Sequence, residues 1–170
     1  MPLNSVPDHA RSMRLTSSSI ADGRIQRPHA ARSHGGEDQP PGLTVHGFPE
    51  EGRYLSVVAD DPDAVVPTGK IWVHWNVFNV PHRGESVDLR PGQSLGGTLG
   101  VTTGGAKGYE GMAPPDGEHT YRFAVFASAE PIQADTTRPW TVEDFERAYG
   151  NKTLRVALIE GRFGPEQGRS

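Results

Sequence analysis

Three separate segments of the chain place polar side chains beside strand-like apolar sequence. Asp61 follows an apolar run, His74 lies within another, and His119 and Tyr121 stand two residues apart at the start of a third. Residues two apart in a strand point to the same side. Polar groups from several segments in an apolar wall predict a small-ligand pocket. Protonated imidazole, phenol O–H and loop amides together are groups that bind an anion.

Each of these signals also has a plain structural interpretation. Asp61 precedes Pro62, and such Asp-Pro turns often only satisfy their own backbone amides. A histidine in an apolar strand, such as His74, is more often a hydrogen-bonded core residue than a ligand-binding one. Trp72 and Trp75 are expected to pack in the core, because no basic residues alternate with them to make a stacking platform.

The elements that must position these groups are mainly strands. Alternating or continuous apolar residues predict strands at 54–59, 71–80, 121–128 and 154–159. Pro62 is expected to stop the first of these, and Asn79 is expected to lie in a turn at the end of the second. The Gly-rich run 91–117 separates the second and third strands, and a connection of that length is usually functional.

One short helix is predicted near the C-terminus. Thr141 is its expected cap, with Asp144 three residues further on, and Gly150 is its expected stop. The buried stripe is predicted to comprise Val142, Phe145, Ala148 and Tyr149.

The composition agrees with a single loop-rich β domain. The chain has 170 residues, with 21 glycines and 15 prolines, and neither residue suits helix interiors. A helical bundle is therefore disfavoured. We expect residues 1–11 to be a disordered leader, 12–164 to form the domain, and 165–170 to be a flexible tail.

Charge and residue usage exclude several classes of function. Lys and Arg number 17 against 21 Asp and Glu, so the net charge is −4 and no basic excess supports nucleic-acid binding. The chain has no cysteine, which excludes disulfides, thiol nucleophiles and Cys-ligated metals. The longest apolar run, 123–127, is too short to span a bilayer, and the N-terminal sequence lacks a signal-peptide core. A cytoplasmic location is expected.

Over residues 13–164 the sequence resembles the phosphatidylethanolamine-binding proteins, also called Raf-kinase-inhibitor-like proteins, and especially their short bacterial members. The motifs that carry the resemblance are Asp61-Pro62-Asp63-Ala64, then Trp72-Val73-His74-Trp75 leading to Asn79-Val80-Pro81, then Gly111-Met112-Ala113-Pro114-Pro115-Asp116-Gly117 with His119-Thr120-Tyr121. Their order and spacing match the family pattern.

The resemblance implies a mainly β fold with two antiparallel sheets and one or two short peripheral helices. It also implies a small anion pocket without a metal or other cofactor, in which Asp61 orients one imidazole. The residues it assigns to the pocket are Asp61, His74, Pro114, His119 and Tyr121, with Gly111 at the rim.

The chain departs from the family pattern near the predicted pocket. Met112-Ala113 replaces a smaller pair, so Ala113 is expected to narrow the mouth or to remove a backbone angle that only glycine adopts. The spacing Gly117-Glu118-His119 is two residues shorter than usual. Thr120 replaces the usual arginine.

Three functions follow from these observations. The first is a non-enzymatic binding protein for phosphate-bearing ligands (a lipid headgroup, a nucleotide or a phosphopeptide), which the resemblance links to regulation of a kinase or protease. The alternative is an inhibitor that acts through surface loops by protein contact. The third is a hydrolase using Asp61, His74 and His119 as metal ligands or acid–base groups, although no close His pair or Gly-x-Ser-x-Gly motif is present. A homodimer is left open.

Overall fold

The computed structural model describes residues 12–165. The ten strands are β1 Arg14–Thr16, β2 Ile20–Ala21, β3 Arg24–Ile25, β4 Leu43–His46, β5 Tyr54–Asp61, β6 Trp72–Pro81, β7 Ser86–Leu89, β8 Thr98–Leu99, β9 His119–Ser128 and β10 Arg155–Phe163. Two short helices, α1 Val65–Thr68 and α2 Val142–Tyr149, and several 3₁₀ turns complete the described part. None of these helices is long and apolar enough to cross a membrane.

The strands form two sheets. The larger has seven strands in the order β2-β3-β10-β9-β5-β6-β8, and the smaller has three in the order β1-β4-β7. Neighbours are antiparallel except for β3 and β10, which share one parallel pair between Arg24 and Arg162. The expected mainly β, two-sheet fold with short helices is confirmed.

The central strands are buried on both faces, as their nearly continuous apolar sequence predicts. One core cluster joins residues of the two sheets, including Val45 of β4 with Val57 and Phe123 of the larger sheet. A second cluster lies on the other side of the larger sheet, where Phe145 of α2 packs 4.7 Å from Phe126 between ring centroids. The larger sheet is therefore the middle layer, which supports whatever its strand ends carry.

Helix α2 begins as predicted and ends differently. The Thr141 hydroxyl accepts from the backbone N–H of Asp144 at 3.1 Å, and Phe145 is fully buried. The prediction that Ala148 is buried is wrong: it is exposed, because Tyr149 makes the apolar contacts of the last turn. Gly150 follows the helix but does not adopt the left-handed conformation typical of a glycine that ends a helix. Its φ is −58°, and it begins the 3₁₀ turn Gly150–Lys152.

The strands extend further than the sequence predicts. β5 continues past residue 59 to Asp61, which pairs with Trp72, and it stops at Pro62 as expected, where the 3₁₀ turn Pro62–Ala64 begins. β9 begins at His119, two residues early, because Phe163 of β10 pairs with it. The predicted pocket residues Asp61 and His119 are thus the last and first residues of paired strands.

Two further expectations concern Asn79 and the two ends of the chain. Asn79 does not end β6; it adopts φ +60° within the strand, and its side chain both donates to and accepts from the backbone of Ile132. The predicted leader, 1–11, and most of the predicted tail lie outside the described residues.

Candidate functional site

The six residues singled out in the sequence come together around one cavity of about 170 Å³. It lies where β5 ends and where β6 and β9 begin, at one end of the larger sheet. Its lining comprises Asp61, Ala64, Thr68, Trp72, His74, Glu110, Gly111, Ala113, Pro114, Pro115, His119 and Tyr121. The antiparallel pairing of β5 with β6 and β9 brings these sequence-distant side chains together.

Asp61 has both a structural contact and a site contact. Its Oδ1 accepts from the backbone N–H of Asp63 at 3.0 Å, which is the turn that the sequence suggested. Its Oδ2 lies 2.6 Å from Nδ1 of His119. Burial raises the pKa of Asp61, and the hydrogen bond from His119 partly offsets that rise. One oxygen shapes the turn while the other orients an imidazole.

His119 lies between two carboxylates. Nδ1 contacts Asp61, and Nε2 lies 2.6 Å from Oδ1 of Asp116. Ionised carboxylates only accept hydrogen bonds, so this arrangement is satisfied when both ring nitrogens carry protons. Burial opposes the charged ring, but the hydrogen bonds to Asp61 and Asp116 outweigh it and raise the pKa of His119. The two carboxylates therefore favour the protonated form of the His119 ring.

His74 differs from His119 in both contacts and charge. Its Nδ1 lies 2.8 Å from the backbone oxygen of Glu110, and a carbonyl only accepts, so Nδ1 carries the proton. Burial lowers the pKa of His74, which favours the neutral ring. Within residues 12–165, Nε2 has no hydrogen-bond partner. That nitrogen can accept from a protonated ligand, or donate once the ring is charged.

Tyr121 stands between the two imidazoles. Its ring centroid is 5.3 Å from that of His74 and 6.2 Å from that of His119, and the residue is 1% exposed. Burial raises the pKa of its hydroxyl, so the O–H stays protonated. No group in the described part of the chain hydrogen-bonds to that hydroxyl. An unpaired buried hydroxyl costs about 1–3 kcal/mol, which is the cost a ligand acceptor would remove.

The loop that forms the rim requires a glycine at 111. A Cβ there would lie 2.4 Å from the backbone nitrogen of Ala31, and the Gly111 N–H donates to Oδ1 of Asp38 at 2.6 Å. Pro114 is buried, and its carbonyl accepts from Nε2 of His34 at 3.3 Å. The rim is thus held against the segment around residues 30–38.

One expectation from the sequence is that the Met112-Ala113 pair removes a backbone angle that only glycine adopts, and the structure does not bear this out. Met112 is fully buried, with its sulfur 3.3 Å from the Tyr109 hydroxyl. Ala113 is exposed and lines the cavity mouth. Its φ is not positive, since the described non-glycine residues with positive φ are Asp22, Asp38 and Asn79. Ala113 therefore does not replace a glycine-only backbone angle.

Sequence reasoning missed two acidic residues and the role of an indole. Asp116 reaches His119, and the available signal was its position three residues before that histidine in the shortened loop. The Glu110 carboxylate accepts from the Thr102 hydroxyl at 2.6 Å and from the Trp72 indole N–H at 3.3 Å. Trp72 is thus a half-buried wall residue rather than a core residue. Glu110 had no sequence signal.

The polar groups around the cavity come from separate strands and loops. Between residues 12 and 165, no group of three or more His, Asp or Glu side chains is placed to hold a metal ion. The cavity instead offers imidazole nitrogens and a phenol O–H, with Asp61 holding one ring in place.

Comparison with known families gives one match over most of the chain. The family described as phosphatidylethanolamine-binding protein matches residues 16–164. This range includes every strand from β2 to β10 and the whole cavity.

Similar proteins come from bacteria and archaea. The UPF0098 protein YbhB of Escherichia coli is 36% identical over 133 residues, which cover 72% of this chain and 83% of YbhB. YbcL of the same organism is 34% identical over 139 residues, covering 75% of each chain. A Methanothermobacter thermautotrophicus protein is 37% identical over 98 residues, or 54% of this chain. The matches span 62% of that archaeal protein and 52% of one from Archaeoglobus fulgidus.

Two solved structures share the fold. The crystal structure of E. coli YbcL, described as a member of the mammalian PEBP family, superposes with a TM-score of 0.74 at 25% identity. It covers 91% of this chain and 99% of YbcL. A phosphatidylethanolamine-binding protein homolog from Chlamydia trachomatis gives a TM-score of 0.73 at 26% identity, covering 92% of this chain and 99% of its own.

Proposed function

This chain belongs to the phosphatidylethanolamine-binding protein family, and from that premise we propose that it is a non-enzymatic binding protein whose cavity takes a small ligand bearing a phosphate group. Lipid headgroups, nucleotides and phosphopeptides share this chemistry. A cavity of about 170 Å³ suits the phosphate and its immediate substituent rather than a whole nucleotide or lipid. The remainder of a larger ligand would lie outside the mouth.

The observation that carries the proposal is the Tyr121 hydroxyl. It is enclosed among the described residues without a hydrogen-bond partner, in a side chain that lines the cavity. Buried polar groups in proteins nearly always have partners, so such an exception calls for an explanation. A phosphate oxygen bound beside Tyr121 would satisfy the hydroxyl.

The charges around the cavity support an anion in spite of the nearby carboxylates. One oxygen of Asp61 already bonds to His119, and the Glu110 carboxylate is engaged by Thr102 and Trp72. These carboxylates stabilise donors instead of competing for the centre of the cavity. An anion placed between the rings would also favour the protonated form of His74.

The same contacts favour binding over catalysis. Each ring nitrogen of His119 faces a carboxylate, so a charged His119 has no free lone pair with which to act as a general base. The Nδ1 of His74 is held by a carbonyl. Since neither ring contacts a nucleophilic hydroxyl in the described part of the chain, we propose a ligand site without covalent chemistry.

Isothermal titration calorimetry with three probes tests this proposal. Inorganic phosphate and phosphorylethanolamine are expected to bind, whereas ethanolamine is not, because the phosphate is the recognised group. Tyr121→Phe should weaken the binding of both phosphate-containing probes. Binding of ethanolamine alone, or absence of phosphate binding at millimolar concentration in both the wild type and Asp116→Ala, which removes the carboxylate beside His119, would overturn the proposal.

Regulation of a kinase or protease stays a prediction that rests on the family resemblance. Partner capture that depends on the loop 91–117 but not on His74 would favour recognition through surface loops. Capture lost in His74→Ala, with the loop intact, would instead link the partner to the cavity.

A further inference from the structure

We propose that Asp116 is a tethered anionic ligand of this protein's own pocket, and that a phosphate must displace its carboxylate from His119 in order to bind. The inference rests on the proposed function and adds what the ligand competes with. It assigns to Asp116 a role in setting the affinity and selectivity of the site.

The geometry places the Asp116 carboxylate on the ring nitrogen of His119 that an external anion would contact, although Asp116 itself is not one of the residues that line the cavity. Its Oδ1 lies 2.6 Å from Nε2 of His119, and the other ring nitrogen is occupied by buried Asp61. The His119 side chain is 3% exposed, whereas that of Asp116 is 44% exposed. The Asp116 carboxylate therefore approaches from the solvent side and covers the one His119 nitrogen that a ligand can reach.

The loop is anchored on both sides of Asp116. The Pro114 carbonyl accepts from His34, and the Glu118 carboxylate pairs with Arg24, which also donates to the Gly164 carbonyl at 3.0 Å. These contacts hold both ends of the segment, of which Pro114 and Pro115 line the cavity. Displacement of Asp116 therefore does not require the whole loop to leave.

Asp116 itself is held by a single side-chain contact. Its carboxylate makes no hydrogen bond in the described part of the chain other than that to His119. The next residue, Gly117, has φ +133° and no atom within 4 Å of a Cβ position. Glycine tolerates that region of φ, which other residues rarely adopt. Rotation of one exposed side chain is enough to uncover Nε2.

The shortened loop explains why this acid is available. Asp116 and His119 are three residues apart, because only Gly117 and Glu118 stand between them. A tethered group competes at the effective concentration that its short connection sets, often millimolar or higher. An external anion therefore sees only the fraction of molecules in which Asp116 has moved away.

This competition selects among anions by charge. The Asp116 carboxylate is a monoanion, so an acetate ion that replaces it gains little and also has to be immobilised. A phosphate dianion carries more charge and more acceptor oxygens, which can reach Tyr121 and His74 as well as His119. The intact pocket should thus prefer phosphate over simple carboxylates.

The test compares inorganic phosphate and acetate binding to wild type, Asp116→Ala, Asp116→Asn and Glu51→Gln. Glu51 is an exposed carboxylate just before β5, at the opposite end of that strand from Asp61, so its variant controls for a general loss of negative charge. Asp116→Ala should lower the Kd for phosphate by about tenfold, and Asp116→Asn by less, because the amide oxygen still accepts from Nε2. Glu51→Gln should change the Kd less than twofold.

The outcomes separate this inference from the proposed function. If wild type binds phosphate and Asp116→Ala binds it no more tightly, Asp116 is not a competitor and the inference is overturned while the function stands. If neither protein binds phosphate at millimolar concentration, the proposed function fails and the inference fails with it. A smaller preference for phosphate over acetate in Asp116→Ala supports the selectivity role, and an unchanged preference contradicts it.

Discussion

Nδ1 of His119, the first residue of β9, lies 2.6 Å from Oδ2 of Asp61, the last residue of β5. The two strands pair along their length, from Tyr54 opposite Ser128 to Asp60 opposite Arg122. This register places both side chains at the same end of the sheet. The site is therefore a consequence of strand pairing, and its loops add the rim.

Asp61→Asn should disrupt the orientation of His119. An amide keeps the acceptor for Asp63 N–H, but its NH₂ cannot accept from His119 Nδ1 in the present geometry. We expect the pKa of His119 to fall, because one of its two carboxylates is lost, and the phosphate Kd to rise about tenfold. NMR titration of the His119 ring and calorimetry measure these effects. An unchanged His119 pKa would show that the contact with Asp61 does not stabilise the protonated His119 ring.

Tyr121→Phe should weaken binding without weakening the fold. The variant removes a buried hydroxyl that has no partner among the described residues, so the free energy of unfolding should stay equal or rise by about 1 kcal/mol. Phosphate affinity should fall about tenfold. Tyr149→Phe is the matched control, since the Tyr149 hydroxyl, at the end of helix α2, donates to the Gln133 carbonyl. A loss of stability in Tyr121→Phe but unchanged affinity would contradict this account.

The pKa values of the two pocket histidines should be shifted in opposite directions from the ordinary histidine value. The pKa of His119 is raised, so its contribution to stability is complete below the unfolded value of about 6.5 and is lost as pH rises through the folded pKa. The pKa of His74 is lowered, so its contribution is present above about 6.5 and is lost as pH falls through the folded pKa. NMR titration of the ring protons checks this, and a His74 midpoint above that of His119 would contradict it.

Gly111→Ala should destabilise the rim and the protein. The added methyl would meet the backbone of Ala30 and Ala31, which cannot move as a flexible side chain would. We expect a loss of about 1–3 kcal/mol in the free energy of unfolding. Gly150→Ala is the control, because the φ of Gly150 is −58° and a Cβ there would lie 3.6 Å from the Glu146 side chain, an ordinary contact distance. Equal effects of the two substitutions would rule out the close approach at Gly111.

The sequence predicts much of this site because its local signals agree with one another. The two-residue spacing of His119 and Tyr121 puts both on one side of a strand, and both line the cavity. The Thr141 cap is a local feature and is confirmed. Such predictions need no knowledge of which strands pair.

The features that were missed depend on distant parts of the chain. β5 passes its predicted end because Asp61 pairs with Trp72, and β9 starts early because His119 pairs with Phe163. The Asp116 contact with His119 is local by comparison, and the three-residue spacing allowed it without determining the loop conformation that forms it. The strand pairings required the assembled fold.

The most direct test of the phosphate pocket follows the histidine ring nitrogens by NMR while inorganic phosphate is added to the wild-type protein. We expect His74 and His119 to shift together and to saturate with one Kd. His46 and His82 should stay unchanged as internal controls, because they bond to Thr16 and to the Gly84 carbonyl and do not line the cavity. Unmoved His74 and His119 rings, or shifts confined to His46 and His82, would contradict the account.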